Sequence, residues 1–131
     1  MSTVIQQWHR IMDQKDPAGL KQLLADEVVF HSPVVHRPQE GKAITQLYLT
    51  AAMQTLNASG QFRYLREIID GHNAVLEFQT ELDGILINGV DMIQWNDDGQ
   101  IVDFKVMVRP LKAVNAIHQA MGRMLEQIKS K

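Results

Sequence analysis

Residues 88–110, NGVDMIQWNDDGQIVDFKVMVRP, predict two strands joined by a tight turn. Alternate positions from Ile85 to Trp95 are mostly apolar and would share one face of a strand, and Asp91 falls on that face. Residues 96–99, NDDG, predict the turn, because Asn and Asp bond their own backbone and Gly accepts a positive φ. The next strand has an apolar face of Val102, Phe104, Val106 and Val108 and a mixed face of Ile101, Asp103, Lys105, Met107 and Arg109. The stretch therefore predicts an antiparallel hairpin with an acid on its apolar side.

Length and composition exclude several classes of protein. A chain of 131 residues with 45% apolar content fits one domain spanning residues 1–131. The net charge of −2 is scattered, without the basic stripe that nucleic-acid binding needs. The chain has no cysteine, its beginning lacks the apolar core of a secretion signal, and no apolar run approaches the roughly 20 residues that cross a bilayer. We therefore expect a cytoplasmic domain that binds neither nucleic acid nor membrane.

The residues before position 31 predict two helices and a short strand. Apolar residues at helical spacing predict a helix over about 3–14. Residues 16–17, Asp-Pro, are typical of an N-cap followed by proline at the first helical position, so a second helix begins there and ends near Asp26. The β-branched and aromatic run from Val28 to Phe30 then predicts a short strand.

The remaining segments predict an α+β domain. Helical spacing returns over 42–56, and residues 62–69 predict a strand with an irregularity near Arg66, where the alternation slips. Apolar and polar residues alternate over 76–82, which predicts an antiparallel strand with one face exposed to solvent. An apolar stripe from Leu111 to Ile128 predicts a C-terminal helix. Helices segregated from antiparallel strands indicate the α+β class.

Two stretches resemble a known family of folds. Residues 24–44, LADEVVFHSPVVHRPQEGKAI, and residues 89–106, GVDMIQWNDDGQIVDFKV, resemble the cone-shaped domains related to nuclear transport factor 2, and among them the SnoaL-like polyketide cyclases. The resemblance runs from Val4 to Arg109. It implies a curved, cone-like antiparallel sheet wrapped around N-terminal helices, an apolar pocket at the wide end, and dimers formed through the outer sheet face. The C-terminal helix is an addition to this pattern.

The same superfamily contains the ketosteroid isomerases, and three positions of this chain can be compared with theirs. Asp91 matches the protonated acid that donates a hydrogen bond to the substrate oxyanion. The general-base carboxylate of those enzymes falls at Ser32, and their oxyanion-hole tyrosine falls at Trp8, which donates only through its indole nitrogen. The resemblance therefore implies a retained acid without its usual base, and ketosteroid isomerisation is not expected.

The chemistry of the pocket depends on Asp91 and on the loop after the first strand. Asp91 among apolar neighbours is costly as an anion, so it is either neutral with a raised pKa or paired with a cation, in a structural or a catalytic role. If Phe30 points inward, Ser32 does too by alternation, whereas His36 is free to swing over the opening. An imidazole pKa near 6.5 suits a general base. No carboxylate accompanies His31 and His36 at metal-ligand spacing, so no metal site is predicted.

These patterns lead to two functional hypotheses. The first is a cofactor-independent cyclase, isomerase or hydratase acting on an apolar carbonyl or hydroxyl compound, with Asp91 as acid and His36 or a water held by Ser32 taking the proton. The second is a non-catalytic ligand carrier or dimeric accessory domain. Ile101 and Met107 on the outer face predict a homodimer. The candidate ligand-binding side chains are Trp8, Met12, Phe30, Met53, Phe78, Ile93 and Phe104.

Overall fold

The computed structural model describes residues 3–129, which form four helices and one six-stranded sheet. In chain order the elements are α1 (Thr3–Gln14), α2 (Pro17–Leu23), β1 (Leu24–His31), β2 (Gln39–Glu40), α3 (Lys42–Leu56), β3 (Arg63–Asp70), β4 (Asn73–Leu82), β5 (Ile85–Trp95), β6 (Ile101–Arg109) and α4 (Leu111–Lys129). The predicted α+β class and the curved, unclosed sheet are confirmed. The short strand β2 was not predicted.

The sheet has the strand order β2-β1-β6-β5-β4-β3. The strands from β3 to β6 form an antiparallel meander, as expected, whereas β1 lies parallel to β6 with Phe30 opposite Phe104. Strand β1 begins at Leu24, so the prediction that the second helix continues to about Asp26 is wrong. Leu24 pairs with Ile101 in the sheet, although its helical spacing had placed it in the second helix. Here the tertiary pairing overrides the helical pattern of the sequence.

The hairpin of β5 and β6 has the predicted buried face on β5, but β6 departs from strict alternation. The register shifts so that Gln94 pairs with Asp103 and Trp95 pairs with Ile101, which leaves Val102 as an extra residue. Ile101 is completely buried, so the prediction that it lies on the outer face is wrong. A bulge reverses the facing of every residue beyond it, and alternation read from sequence misses this.

The helices pack on the face of the sheet that carries Asp91. Trp8 of α1 meets the ring of Phe104 with centroids 4.9 Å apart, and Tyr48 of α3 stacks on Phe30 at 5.9 Å. The other buried apolar residues of α1 are Val4, Ile5, Ile11 and Met12. Both helix boundaries, for α1 and for α3, agree with the predicted spans.

Helix α4 covers part of the same face. Its buried residues are Ala113, Ile117, Ala120 and Met121. Leu111, predicted as the start of the buried stripe, is 75% exposed. At about 100° per residue, Leu111 lies roughly 200° from Ala113 and therefore on the opposite side of the helix.

Truncation after Pro110 should lower the thermal stability of the protein clearly. It removes Ile117 and Met121 from the core, and a fully buried side chain of this size contributes about 1.5–3 kcal/mol. Truncation after Ile128 keeps the buried residues of α4 and also Met124, Leu125 and Ile128, which pack against the core, so it is the control, with a much smaller loss. Thermal denaturation followed by circular dichroism measures both. An unchanged melting temperature after the truncation at Pro110 would show that α4 has no structural role.

The outer face of the sheet carries an apolar row that crosses three strands. Ile68, Val75 and Met92 are direct neighbours in the register of β3, β4 and β5. In the next row Met107 is opposite Val90, and Met107 is 48% exposed. The charged border includes an ion pair of Arg66 with Glu77 at 3.2 Å and one of His31 with Asp103 at 2.9 Å. An apolar patch bordered by both signs of charge is suited to an isologous contact.

We propose that two chains pair through this outer face. Sedimentation at micromolar concentration should then give a species of about twice the 14.9 kDa chain mass. Met107→Glu should shift the equilibrium toward monomer, because it places a charge in the apolar contact. The control is Leu111→Glu, which adds the same charge at another exposed apolar residue, on α4, and should leave the dimer intact. Sedimentation of the unaltered protein as a monomer would refute the pairing.

Candidate functional site

An apolar cavity lies between the helices and the inner face of the sheet. It contains about 620 Å³ of empty space, including the part that opens to solvent. The walls include Trp8 and Met12 from α1, Phe30 from β1, Met53 from α3, Phe104 from β6, and Ile117 and Met121 from α4. The polar side chains of the lining, apart from the indole of Trp8, are Ser32, Thr55 and Asp91. The α4 residues were not predicted as cavity residues.

Five of the seven predicted ligand-binding side chains line the cavity, and Phe78 and Ile93 do not. Both belong to the buried core. Phe78 stacks on Phe62, a cavity residue, with ring centroids 5.3 Å apart. Phe78 fits there because Gly89 has no side chain: a Cβ at that position would lie 2.5 Å from Phe78 Cζ. An inward-facing strand position supplies either core or cavity wall, and alternation does not distinguish the two.

A chain of hydrogen bonds holds Asp91 at the cavity wall. Trp8 Nε1 donates to Tyr64 Oη at 2.8 Å, and Tyr64 Oη donates to Asp91 Oδ2 at 2.8 Å. An indole N–H can only donate, so Tyr64 Oη accepts from Trp8, and the phenol O–H of Tyr64 is directed at Asp91 Oδ2. The chain connects α1, β3 and β5 through one buried carboxyl group, which is 6% exposed.

Burial sets the protonation of this group. Burial raises the pKa of Asp91 from 3.8 to about 7, and the hydrogen bond from Tyr64 opposes this rise only in part. Burial, and then the charge of Asp91, raises the pKa of Tyr64 well above its usual value, so Tyr64 remains an O–H donor near neutral pH. Asp91 makes no ion pair with the described residues, so of the two alternatives left open by the sequence the raised pKa applies and not the pairing with a cation.

Sequence reasoning missed Tyr64. It lies immediately before the bulge in β3, where the register shifts between Tyr64 and Arg66, so the predicted irregularity near Arg66 is confirmed. At a bulge, the alternation of the sequence does not predict on which face of the sheet a side chain lies. Its inward facing follows from its pairing with Phe78, a buried residue of β4, and this register is visible only in the structure. His9 also contacts the Tyr64 ring edge-on at 5.1 Å.

The loop after β1 brings one of its two candidate residues to the cavity. Ser32 lines the cavity, and its hydroxyl accepts a hydrogen bond from the Val34 amide at 3.1 Å. His36 is exposed and does not line the cavity. The loop turns back so that Gln39 pairs with Phe30, and His36 lies in the connection between them. Within residues 3–129 no cluster of three or more His, Asp or Glu side chains is arranged to hold a metal ion.

Fold and cavity together define a cone-shaped α+β domain of the nuclear transport factor 2 type, with a carboxyl group on the wall of an apolar cavity. The chain belongs to the SnoaL-like family, whose domain model matches residues 5–104. No helix in the described part of the chain is both long and apolar enough to span a membrane.

Three solved structures are similar to this chain. A steroid delta-isomerase from Pseudomonas aeruginosa is 34% identical, with a TM-score of 0.90 over 98% of this chain and 93% of that one. An uncharacterized protein with a cystatin-like fold from Silicibacter pomeroyi DSS-3 is 31% identical, with a TM-score of 0.86 over 94% and 85%. An NTF2-like protein of unknown function from Mesorhizobium loti shares the fold at 21% identity, with a TM-score of 0.71 over 82% and 88%. No curated protein matches the chain by sequence.

Asp91 should make the protein less stable as the pH rises from about 4 to about 7. In this window the folded state keeps a proton that the unfolded state, with a pKa near 3.8, has released. A difference of about three pKa units corresponds to a loss of roughly 4 kcal/mol, complete above pH 7. Asp91→Asn, which keeps a partner for Tyr64 and never ionises, should equal the wild type at pH 4 and exceed it at pH 8.

Urea denaturation at the two pH values measures this effect. The control is Asp13→Asn, which removes an exposed carboxylate of α1 outside the cavity lining and should not reproduce the gain in stability at pH 8. Carboxyl carbon shifts followed by NMR test the premise directly. A titration of Asp91 below about 4, the range of an exposed Asp, would contradict both the protonation described here and the stability difference.

Proposed function

We propose that the protein binds a small apolar molecule with a carbonyl or hydroxyl oxygen and that Asp91 exchanges a proton with it, as in a cofactor-independent isomerase, cyclase or hydratase. The observation that carries this proposal is a buried carboxyl with a pKa of about 7 on the wall of an apolar cavity. A carboxyl that changes protonation near neutral pH is suited to proton transfer. The 34% identity to a steroid delta-isomerase supports the same class of reaction.

In this proposal the protonated Asp91 donates a hydrogen bond to the substrate oxygen. Negative charge that develops on the oxygen is then stabilised in surroundings of low polarity, where a hydrogen bond is stronger than in water. Tyr64 fixes the carboxyl through Oδ2 and stabilises the carboxylate that remains if the proton is transferred. Tyr64 is therefore a positioning residue, and Asp91 is the group that contacts the substrate.

The cavity wall offers two candidates for removing a proton from substrate carbon. One is a water bound by the Ser32 hydroxyl while Asp91 stays protonated, and the other is the Asp91 carboxylate in its ionised state, whereas His36 is outside the lining. A single carboxyl that titrates near neutral pH can serve first as base and then as acid. This route requires no movement of the loop after β1.

A non-catalytic ligand carrier is the second candidate. It is favoured by one observation: among the described residues that line the cavity, Asp91 is the only ionisable side chain. A carrier needs one hydrogen bond to orient its ligand and no second group. The two functions therefore differ in what Asp91 does after binding.

Hydrogen exchange at the α-carbon of an apolar cyclic ketone, 2-tetralone, distinguishes the two functions. With an enzyme, NMR in deuterated buffer should show accelerated exchange whose rate changes around pH 7. Asp91→Asn should lower the rate by about 100-fold or more and leave ketone binding nearly unchanged. Tyr64→Phe should move the pH midpoint upward, because it removes the hydrogen bond that lowers the pKa of Asp91.

A carrier should bind the ketone without accelerating exchange at any pH. If the Asp91→Asn variant catalyses hydrogen exchange in the ketone at the wild-type rate, the catalytic role of Asp91 is refuted. Absence of ketone binding in calorimetry would refute both functions for this class of compound.

A further inference from the structure

Met53 separates the interior cavity from a cleft on the protein surface. Its side chain is 8% exposed and forms part of the walls of both spaces. The cleft holds about 720 Å³ of empty space, open to solvent, between the α1–α2 connection and the end of α3. A methionine side chain is unbranched and has three rotatable bonds, so it changes shape more easily than other apolar residues. Among the described residues Met53 is the only one shared by the two linings, so a change of its rotamer is the most direct way to join the cavity to the cleft.

The cleft differs from the cavity in its chemistry. Its lining includes the polar side chains of Thr50, Gln54 and Asn57, in contrast to the apolar cavity. Lys15 is the only charged residue of that lining, is exposed, and makes no ion pair with the described part of the chain. A lone ammonium group beside hydrogen-bonding side chains is suited to an anionic group such as a carboxylate.

We propose that cavity and cleft form one binding site for an amphipathic carboxylate. The apolar body of the ligand occupies the cavity, its carboxylate lies in the cleft beside Lys15, and Met53 is displaced between them. The inference rests on the proposed function in that the cavity must accept an apolar ligand. It adds that the natural ligand carries its carbonyl or hydroxyl oxygen at one end and a negative charge at the other.

Pairs of probes that share an alkyl chain test the charge at Lys15. Isothermal titration calorimetry at pH 6, below the pKa of Asp91, compares octanoate and decanoate with 1-octanol and 1-decanol. The wild type should bind each carboxylate more tightly than the matching alcohol. Lys15→Asn should weaken carboxylate binding about tenfold and leave alcohol binding unchanged. Asn is chosen because Lys15 has a φ of 52°, a left-handed conformation that Asn tolerates well.

The control for charge is Lys21→Asn, which removes an exposed lysine of α2 outside the cleft and should change neither affinity. An unchanged preference for carboxylates in Lys15→Asn would overturn the proposal. Failure of the wild type to bind any of these probes would also overturn it. The ketone exchange assay would still report on Asp91 in that case, so the two failures are distinguishable.

The role of Met53 in separating the cavity from the cleft is tested by comparing two methionines of equal burial. Met53 and Met12 are each 8% exposed and line the cavity, but only Met53 also lines the cleft. Met53→Ala should open the connection and improve binding of dodecanoate over octanoate several-fold relative to the wild type. Met12→Ala enlarges the cavity without opening it and should lack this chain-length effect. The same chain-length profile in both variants would show that Met53 does not separate two parts of one site.

Discussion

A carboxyl group buried without a cation is the constraint on which the rest of this structure depends. Asp91 lies on the apolar face of β5, and its anion is unfavourable there because burial outweighs the single hydrogen bond from Tyr64. Two hydrogen bonds satisfy the buried polar groups of this site. Trp8 donates to Tyr64 and Tyr64 donates to Asp91, so the bonds connect three elements of the fold. The burial that lowers stability at neutral pH also brings the pKa of Asp91 to about 7, and pKa values shifted in this way are common at functional sites.

Much of this arrangement could be predicted from the sequence, because it follows from local periodicity. The alternation of residues 85–95 placed Asp91 on the buried face correctly, and NDDG at 96–99 gave the turn. Helical spacing gave the bounds of α1 and α3. Each of these features depends on residues within a few positions of one another, where side-chain facing and backbone propensity act together.

The parts that could not be predicted depend on register and on distant pairing. Tyr64 and Ile101 lie at bulges, where one inserted residue changes the facing of a strand. His36 was considered for the cavity because a loop has no periodicity to constrain it, and the pairing of β2 with β1 leaves it exposed. Leu111 begins α4 on the side turned away from the core. Membership of the SnoaL-like family accounts for the fold, whereas the chemistry of the cavity has to be derived from the residues on its wall.

The parallel pairing of β1 with β6 also affects how the chain reaches this structure. Phe30 pairs with Phe104, which is 74 residues further along the chain (104 minus 30), and both rings line the cavity. Closing the loop between these two residues costs entropy that their contact must offset. During synthesis the apolar wall formed by α1, β1 and α3 cannot pair with β6 until β6 has been made. The cavity therefore closes only after β6 has been synthesised, and the apolar surface exposed until then favours aggregation.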